Sequence, residues 1–168
     1  PKPNGNMRRV FAYLMFQRGI DRDVLYSFVH NKMIYESKKY HNAVFVGYDT
    51  TGIPRHAHKR GTGSKSTYKG NAPNGSQEYS FHWHGRSPYV CLFEAPIDML
   101  SFISMHKSNW KQHSYAASCS VSDKVLFRML DDNPNLKEVF LCFDNDEAGQ
   151  NAAQRISDKL FLKGIKSR

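Results

Sequence analysis

The sequence predicts an α/β protein with a mixed α+β N-terminal lobe, followed by a Rossmann-like parallel sheet flanked by helices. Three observations lead there. From Tyr89 onward, short apolar runs alternate with helix-length amphipathic stretches, the order that produces a parallel sheet with right-handed crossovers. Before Tyr89 the pattern is a helical pair followed by short β-prone runs separated by turns. Charge divides the same way. Residues 1–89 carry 14 Lys and Arg against 5 Asp and Glu and residues 90–168 carry 10 against 10, so the whole net charge of +9 lies in the first half. A basic lobe beside a neutral lobe with concentrated carboxylates suits a polyanionic partner and a local cation.

The first helix is expected over Arg8–Arg18, where Val10 and Leu14 recur at i,i+4, and Gly19 is placed to end it. Asp21 reads as the N-cap of a second helix over Arg22–His30, with Ile20 and Leu25 spaced as a hydrophobic staple. Ala43–Tyr48 is a strand, Asp49–Gly52 a turn, and Ile53–His58 the returning strand. Lys59–Gly75, rich in Gly, Ser, Lys and Asn, reads as a loop; Tyr79–Trp83 alternates like a strand. Gly85–Pro88 reads as the linker between a basic lobe at 1–88 and a second lobe at 89–168.

In the second lobe Tyr89–Phe93, Tyr115–Ala117 and Val139–Phe143 are strands, and Ile97–His106 and Ala148–Leu160 are helices. A third helix runs to Leu130 with Ser122 as its cap. The closing Gly164–Arg168 looks like the turn into a further strand, so the sheet is expected to be cut before its last one. A start at Pro1 rather than Met implies that the natural protein extends upstream. With 40% hydrophobic and 23% charged residues, wholesale disorder is excluded. No apolar run approaches the roughly 18 residues of a membrane span. Three cysteines in mainly apolar settings argue against a disulfide framework and for a reducing cytoplasm.

Two strands of the second lobe end in acids. The first reads Val90-Cys91-Leu92-Phe93-Glu94, with Asp98 four residues on; the second reads Phe140-Leu141-Cys142-Phe143-Asp144-Asn145-Asp146. Strands of a parallel sheet present their C-terminal ends along one edge, where ligands bind. Glu94, Asp144 and Asp146 are therefore expected to converge despite their separation in sequence. Alone, each acid pair would read as a helix cap. Together they form a cluster that repels itself unless a hard cation sits among them, and Mg²⁺ suits such a set while keeping waters or phosphate oxygens in its shell. Phosphoryl transfer uses that arrangement.

Glu94-Ala95-Pro96-Ile97-Asp98 resembles the Glu-x-x-x-Asp motif of the TOPRIM domain, and Asp144-Asn145-Asp146-Glu147-Ala148-Gly149 resembles its Asp-x-Asp-x-Ala-Gly motif in the form typical of bacterial primases. The resemblance covers about half the chain. The first lobe is similar, through Tyr13-Leu14 to Ile20, Ala43–Gly47 and Gly75-Ser76, to the region preceding TOPRIM in primase-like proteins of conjugative elements. By that resemblance Glu94 is the general acid/base or a member of the metal shell. Asp144 and Asp146 are the Mg²⁺ ligands (Mn²⁺ being an alternative), Asp98 is a further acid, and Gly149 is the small residue that lets its helix pack closely. The implied activity is Mg²⁺-dependent nucleotidyl transfer on DNA, with single-stranded DNA and nucleotides as partners and with flanking domains upstream and downstream. A TOPRIM nuclease and a non-catalytic nucleic-acid-binding module are the alternatives. The sequence departs from the family in stopping before the fourth TOPRIM strand and in showing neither a zinc module nor a helicase segment.

Arg55, Lys59, Arg60, Lys65 and Lys69 fall within fifteen residues that contain no acid, with Tyr68 among them, and are the candidate phosphate contacts. Gly61–Ser66 only superficially suggests a P-loop, because Ser precedes Lys65 and no helix signal follows. His56/His58 and His82/His84 form two His-x-His pairs; their aromatic neighbours and the absence of a Cys-x-x-Cys favour strand packing over zinc.

Overall fold

The computed structural model describes residues 1–120 and 122–168. The first lobe opens with α1 (Arg8–Phe11), which widens at once into a π-helical segment, Ala12–Gln17. The expected single helix over 8–18 is therefore present as two forms. Its wide last turn carries the Arg18 amide back to the Tyr13 carbonyl, five residues away, and buries the adjacent Tyr13 and Leu14 together. Gly19 ends it with φ +67°, a conformation that costs glycine little.

Helix α2 (Arg22–His30) begins where expected. The Asp21 side chain accepts from the Asp23 and Val24 amides, and Ile20 and Leu25 are both buried beside it. A four-stranded antiparallel sheet follows, made of β1 (Ile34–Glu36), β2 (Ala43–Tyr48), β3 (Pro54–Arg60) and β4 (Lys69–Asn71) in that spatial order. The stretch expected to be a loop from Lys59 is thus partly sheet. Lys59 and Arg60 finish β3, and β4 pairs with them although it lacks apolar side chains. Backbone hydrogen bonding to β3 holds that strand, aided by His58 Nδ1 against Asn71 Oδ1 at 2.8 Å.

The strand expected over 79–83 resolves into a 3₁₀ turn at Gln77–Tyr79 and a two-residue strand, β5 (His82–Trp83). β5 joins the second sheet. It is the antiparallel edge beside β7 (Ser114–Ala117), followed in space by β6 (Tyr89–Phe93), β8 (Glu138–Cys142) and β9 (Lys166–Ser167). β7, β6, β8 and β9 are parallel, so the two residues of β9 supply the start of the strand expected to be missing.

The apolar strands are buried on both faces. Cys91, Phe93, Tyr115 and Ala117 pack toward α3 (Pro96–Met105) and into a core shared with Val10, Phe28 and Phe45 of the first lobe. Val90, Leu92, Ala116 and Val139 pack toward α4 (Lys124–Asp132) and α5 (Glu147–Leu162) on the other side. Helices on both faces explain why these strands are continuously apolar rather than alternating. Asp123, rather than Ser122, occupies the N-cap position of α4; the Ser122 hydroxyl receives only a long 3.4 Å bond from the Lys124 amide.

The lobes share one apolar core. Phe28 of the first lobe stacks on Trp110 of the second with ring centroids 5.3 Å apart, and within the first lobe Phe45 meets Phe81 edge-on at 5.4 Å. Burying side chains of this size contributes about 1.5–3 kcal/mol each. Gly47 of β2 lies under the 3₁₀ turn, where a Cβ would sit 1.7 Å from the Tyr79 carbonyl oxygen. Among the described residues, no helix is long and apolar enough to cross a membrane.

Candidate active site between the lobes

β6 and β8 lie side by side and end together, so Glu94 and Asp144 emerge at the same sheet edge. The Asp144 amide donates to Glu94 Oε1 at 3.2 Å. Asp98, in the first turn of α3, faces the same opening. Asp146 is the N-cap of α5, and its Oδ1 accepts from the Gly149 amide at 2.7 Å. Gly149 is required there, since a Cβ would lie 2.1 Å from the Asp144 carbonyl oxygen and 3.0 Å from Glu94 Oε1.

Three of these acids, Asp146 not among them, border a cavity of about 580 Å³ whose far wall is basic. Glu94, Asp98 and Asp144 line one side, and Arg18, His58, Arg60 and Lys69 of the first lobe line the other. Arg60 is steadied by its Nε donating to the Tyr13 hydroxyl at 3.3 Å, an interaction the π-helical turn makes available. Burial pushes the Glu94 carboxyl above its ordinary pKa, and the charges of Asp144, Asp146 and Asp98 push the same way; the Asp144 amide only partly opposes them. Asp98 is raised by burial and then by Asp144, against the pull of the Ala95 amide region, Arg18 and Arg60. The site therefore combines crowded carboxylates with cations across a gap. Among the described residues, no three His, Cys, Asp or Glu side chains stand close enough together to enclose an ion by themselves.

The five basic candidates do not act as one patch. Strand alternation turns His58 and Arg60 toward Phe45 and Ala43, on the core side, and Lys59 toward Val44, on the other. Arg60 and Lys69 reach the acid cavity. Arg55 sits at the far end of β3, with its Nε 2.6 Å from Asp49 Oδ2 at the β2–β3 turn. Lys65 is exposed in the loop after β3, and Lys59 faces a separate cavity. Arg18 is a site residue that the sequence did not single out, and His58, read there only as half of a His-x-His pair, is a second member of the basic wall. The period-two pattern through His56, His58 and Arg60 was the signal for His58; nothing local marks Arg18.

Within the histidine pairs, His58 lines the acid cavity and His84 is exposed. His56 and His58 are buried on β3, while His82 is buried on β5 with Nδ1 2.6 Å from the Ser80 carbonyl.

Residues 12–87 match a family described as a protein of unknown function (DUF3991), and residues 91–168 match the Toprim-like family. The uncharacterized protein pXO2-78 of Bacillus anthracis is 28% identical over 162 residues, covering 88% of this chain and 46% of that protein. The chain thus spans less than half the length of that relative. Among solved structures, the primase fragment of the bacteriophage T7 primase-helicase superposes with a TM-score of 0.66 at 18% identity, covering 90% of this chain and 62% of that one. The Aquifex aeolicus primase (zinc-binding and RNA polymerase domains) gives 0.64 at 16% identity, covering 97% and 49%. The E. coli primase catalytic core gives 0.61 at 12%, covering 96% and 64%. The chain carries a Toprim-like domain, preceded by the domain of unknown function DUF3991, and has the fold of bacterial primase cores.

Proposed function

We propose that this protein is a primase-like nucleotidyltransferase that extends nucleic acid on single-stranded DNA with Mg²⁺, or Mn²⁺ in its place. The observation that carries the reading is the cavity that sets Glu94, Asp98 and Asp144 against Arg18, Arg60 and Lys69. The donor set fits a hard divalent ion, being all carboxylate oxygen. Burial raises the pKa of Glu94 and Asp98 first, and repulsion from the neighbouring acids adds to it; a cation would relieve the repulsive part. Asp144 and Asp146, with Asp98, would hold it, and Mg²⁺ tolerates so open a set because it keeps water and phosphate oxygens as its remaining ligands. When bound, the ion would supply charge neutralisation at the reacting phosphate.

The chain's own groups divide the remaining work. Arg60, Lys69 and Arg18 neutralise and orient the phosphates of the incoming nucleotide. Glu94, held less acidic than an ordinary glutamate, is suited to take the proton of the attacking 3′-hydroxyl. The resemblance of the first lobe to the region that precedes TOPRIM in primase-like proteins of conjugative elements supports a role in mobile-element replication or transfer.

The test has two parts. Mn²⁺ binding is read from loss of the free-ion paramagnetic resonance signal, and products are read on gels with labelled single-stranded DNA, nucleotides and Mg²⁺. The expected result is tight Mn²⁺ binding and nucleotide-dependent new strands, both lost in Asp144→Asn/Asp146→Asn. Shortened DNA would replace the reading with a nuclease. Equal Mn²⁺ binding by both proteins, with a mobility shift and no product, would replace it with a binding module.

A further inference from the structure

The outer face of the first sheet carries a second cavity, of about 1150 Å³, which has no part in the acid site. Five cations border it: Lys2, Arg9, Lys38, Lys39 and Lys59. Among the described residues no carboxylate lines it, and none of the five side chains has an acidic partner. Two tyrosines stand at its rim, Tyr40 at 65% exposure and Tyr68 at 45%. Each has a lysine over its ring, Lys39 Nζ 4.8 Å from the centroid of Tyr40 and Lys59 Nζ 5.6 Å from that of Tyr68.

The walls of this cavity are fixed by hydrogen bonds. The N-terminal segment is pinned by the Lys38 amide donating to the Lys2 carbonyl at 2.9 Å and by the Tyr35 hydroxyl donating to the Pro1 carbonyl at 2.5 Å. The loop after β3 is tied across by Thr62 Oγ1 donating to the His41 carbonyl at 2.7 Å, and closed on itself by the Gly61 amide and the Tyr68 carbonyl. Like charges that would spread apart on free loops are therefore held converging. The one acid nearby in sequence, Glu36, is buried and already engaged by His41, Asn4 and the Arg9 and Val10 amides.

We propose that this cavity binds single-stranded nucleic acid, with its lysines on phosphates and bases stacked on Tyr40 and Tyr68. The idea rests on the nucleic-acid reading above but concerns a different face of the sheet. Cations without a carboxylate partner favour a polyanion. Exposed aromatic faces interleaved with them favour unpaired bases over a bare anion or a duplex. The volume exceeds the roughly 300–1,000 Å³ of a small-molecule pocket, which suits a chain segment better than one metabolite. Lys59 and Arg60 are adjacent but face opposite sides of β3, so a strand passing the end of that sheet can touch both sites.

The experiment is fluorescence anisotropy with a labelled oligo(dT) of about 12 nucleotides, a length that falls within the site sizes of single-strand binders. EDTA is present throughout so that no cation fills the acid site. Lys38→Ala/Lys39→Ala/Lys59→Ala is expected to bind about 10-fold or more weakly at 0.1 M salt. Its plot of log K against log salt should be flatter by about 2, since each phosphate that a lysine no longer neutralises takes about 0.7 off the slope. Tyr40→Leu/Tyr68→Leu should lose at least about 5-fold with the slope kept. Asp144→Asn/Asp146→Asn should bind like wild type, so failure of the metal reading leaves this one standing. Circular dichroism melting confirms that each variant is folded. The proposal is overturned if the tyrosine pair binds like wild type, if only Arg60→Ala/Lys69→Ala weakens binding, or if polyglutamate competes as well as unlabelled oligo(dT).

Discussion

Glu94 Oε1 and the Asp144 amide meet at 3.2 Å across strands whose sequences are fifty residues apart. The bond ties the ends of β6 and β8, so the same oxygen that shapes the sheet edge also belongs to the acid cluster. Glutamine at this position keeps a carbonyl oxygen for the amide but removes a charge that Asp144, Asp146 and Asp98 already disfavour. Glu94→Gln is therefore expected to melt within a few degrees of wild type or slightly above it, while Mn²⁺ affinity falls about tenfold, the scale of losing one charged ligand or neighbour. Glu94→Ala, which drops the bond as well, should melt lower. Calorimetry in EDTA and Mn²⁺ titration separate the two effects.

Gly149 is the point where α5 presses on the site. A Cβ there would stand 2.1 Å from the Asp144 carbonyl oxygen, a backbone atom that cannot swing aside. Alanine would favour an isolated helix by about 1 kcal/mol. Overpacking costs about 1–3 kcal/mol and moves the backbone that carries Asp144. Gly149→Ala should therefore lose stability in urea titration and weaken Mn²⁺ binding together. Gln150→Ala, one residue on and exposed, should change each by little.

How far the sequence led depended on what each residue answers to. Val90–Phe93 and Val139–Cys142 were legible because strands covered on both faces must be apolar throughout, and Glu94 and Asp144 because parallel strands end on one edge. Asp21 was legible because capping is local chemistry. The β4 strand was not, since Lys69-Gly70-Asn71 has no apolar residue and is held by backbone pairing to β3. The basic run was misleading as a unit. Reading Arg55, Lys59 and Arg60 as neighbours in sequence ignored that a strand sends alternate side chains to opposite faces, and that Arg55 finds Asp49 across a turn. Arg18 reaches the acids only through the folding of the first lobe onto the second, which no local pattern encodes.

Asp21 links two helices. Its carboxylate receives the Asp23 amide at 2.9 Å, the Val24 amide at 3.3 Å and Lys107 Nζ at 2.7 Å, while its own amide donates to Ser104 Oγ on α3 at 2.9 Å. Lys107 is more than half exposed, so the ion pair contributes little, below about 1 kcal/mol. The cap is the larger part, about 1 kcal/mol or somewhat more. Asp21→Asn should then be nearly neutral in chemical denaturation. Asp21→Ala should lose about 1–2 kcal/mol, and 1 M salt should narrow the small gap between wild type and Asn without changing the Ala deficit.

The buried histidines make the fold acid-labile in a defined window. Burial holds His56 down to about 4, reinforced by His58, and holds His82 down to about 4 against the opposing Ser80 carbonyl. His58 is shifted the same way, again chiefly by burial. The unfolded chain, with ordinary histidine values near 6.5, takes up protons before the folded one does. Stability is thus full above about pH 6.5, falls as the pH drops toward 4, and levels off in this respect once the folded-state histidines are protonated too. Each such group contributes a slope of up to roughly 1.4 kcal/mol per pH unit inside the window. Melting temperature measured from pH 7.5 to 4.5 should fall steeply for wild type and less steeply for His56→Gln, whatever the absolute cost of that substitution. Among the described residues neither ring nitrogen of His56 has a hydrogen-bond partner, so its replacement by a neutral side chain removes a proton-uptake site without cutting a network. An unchanged slope in His56→Gln would mean that the ring takes up its proton at the same pH in the folded chain as in the unfolded one, and that its burial does not govern the acid response.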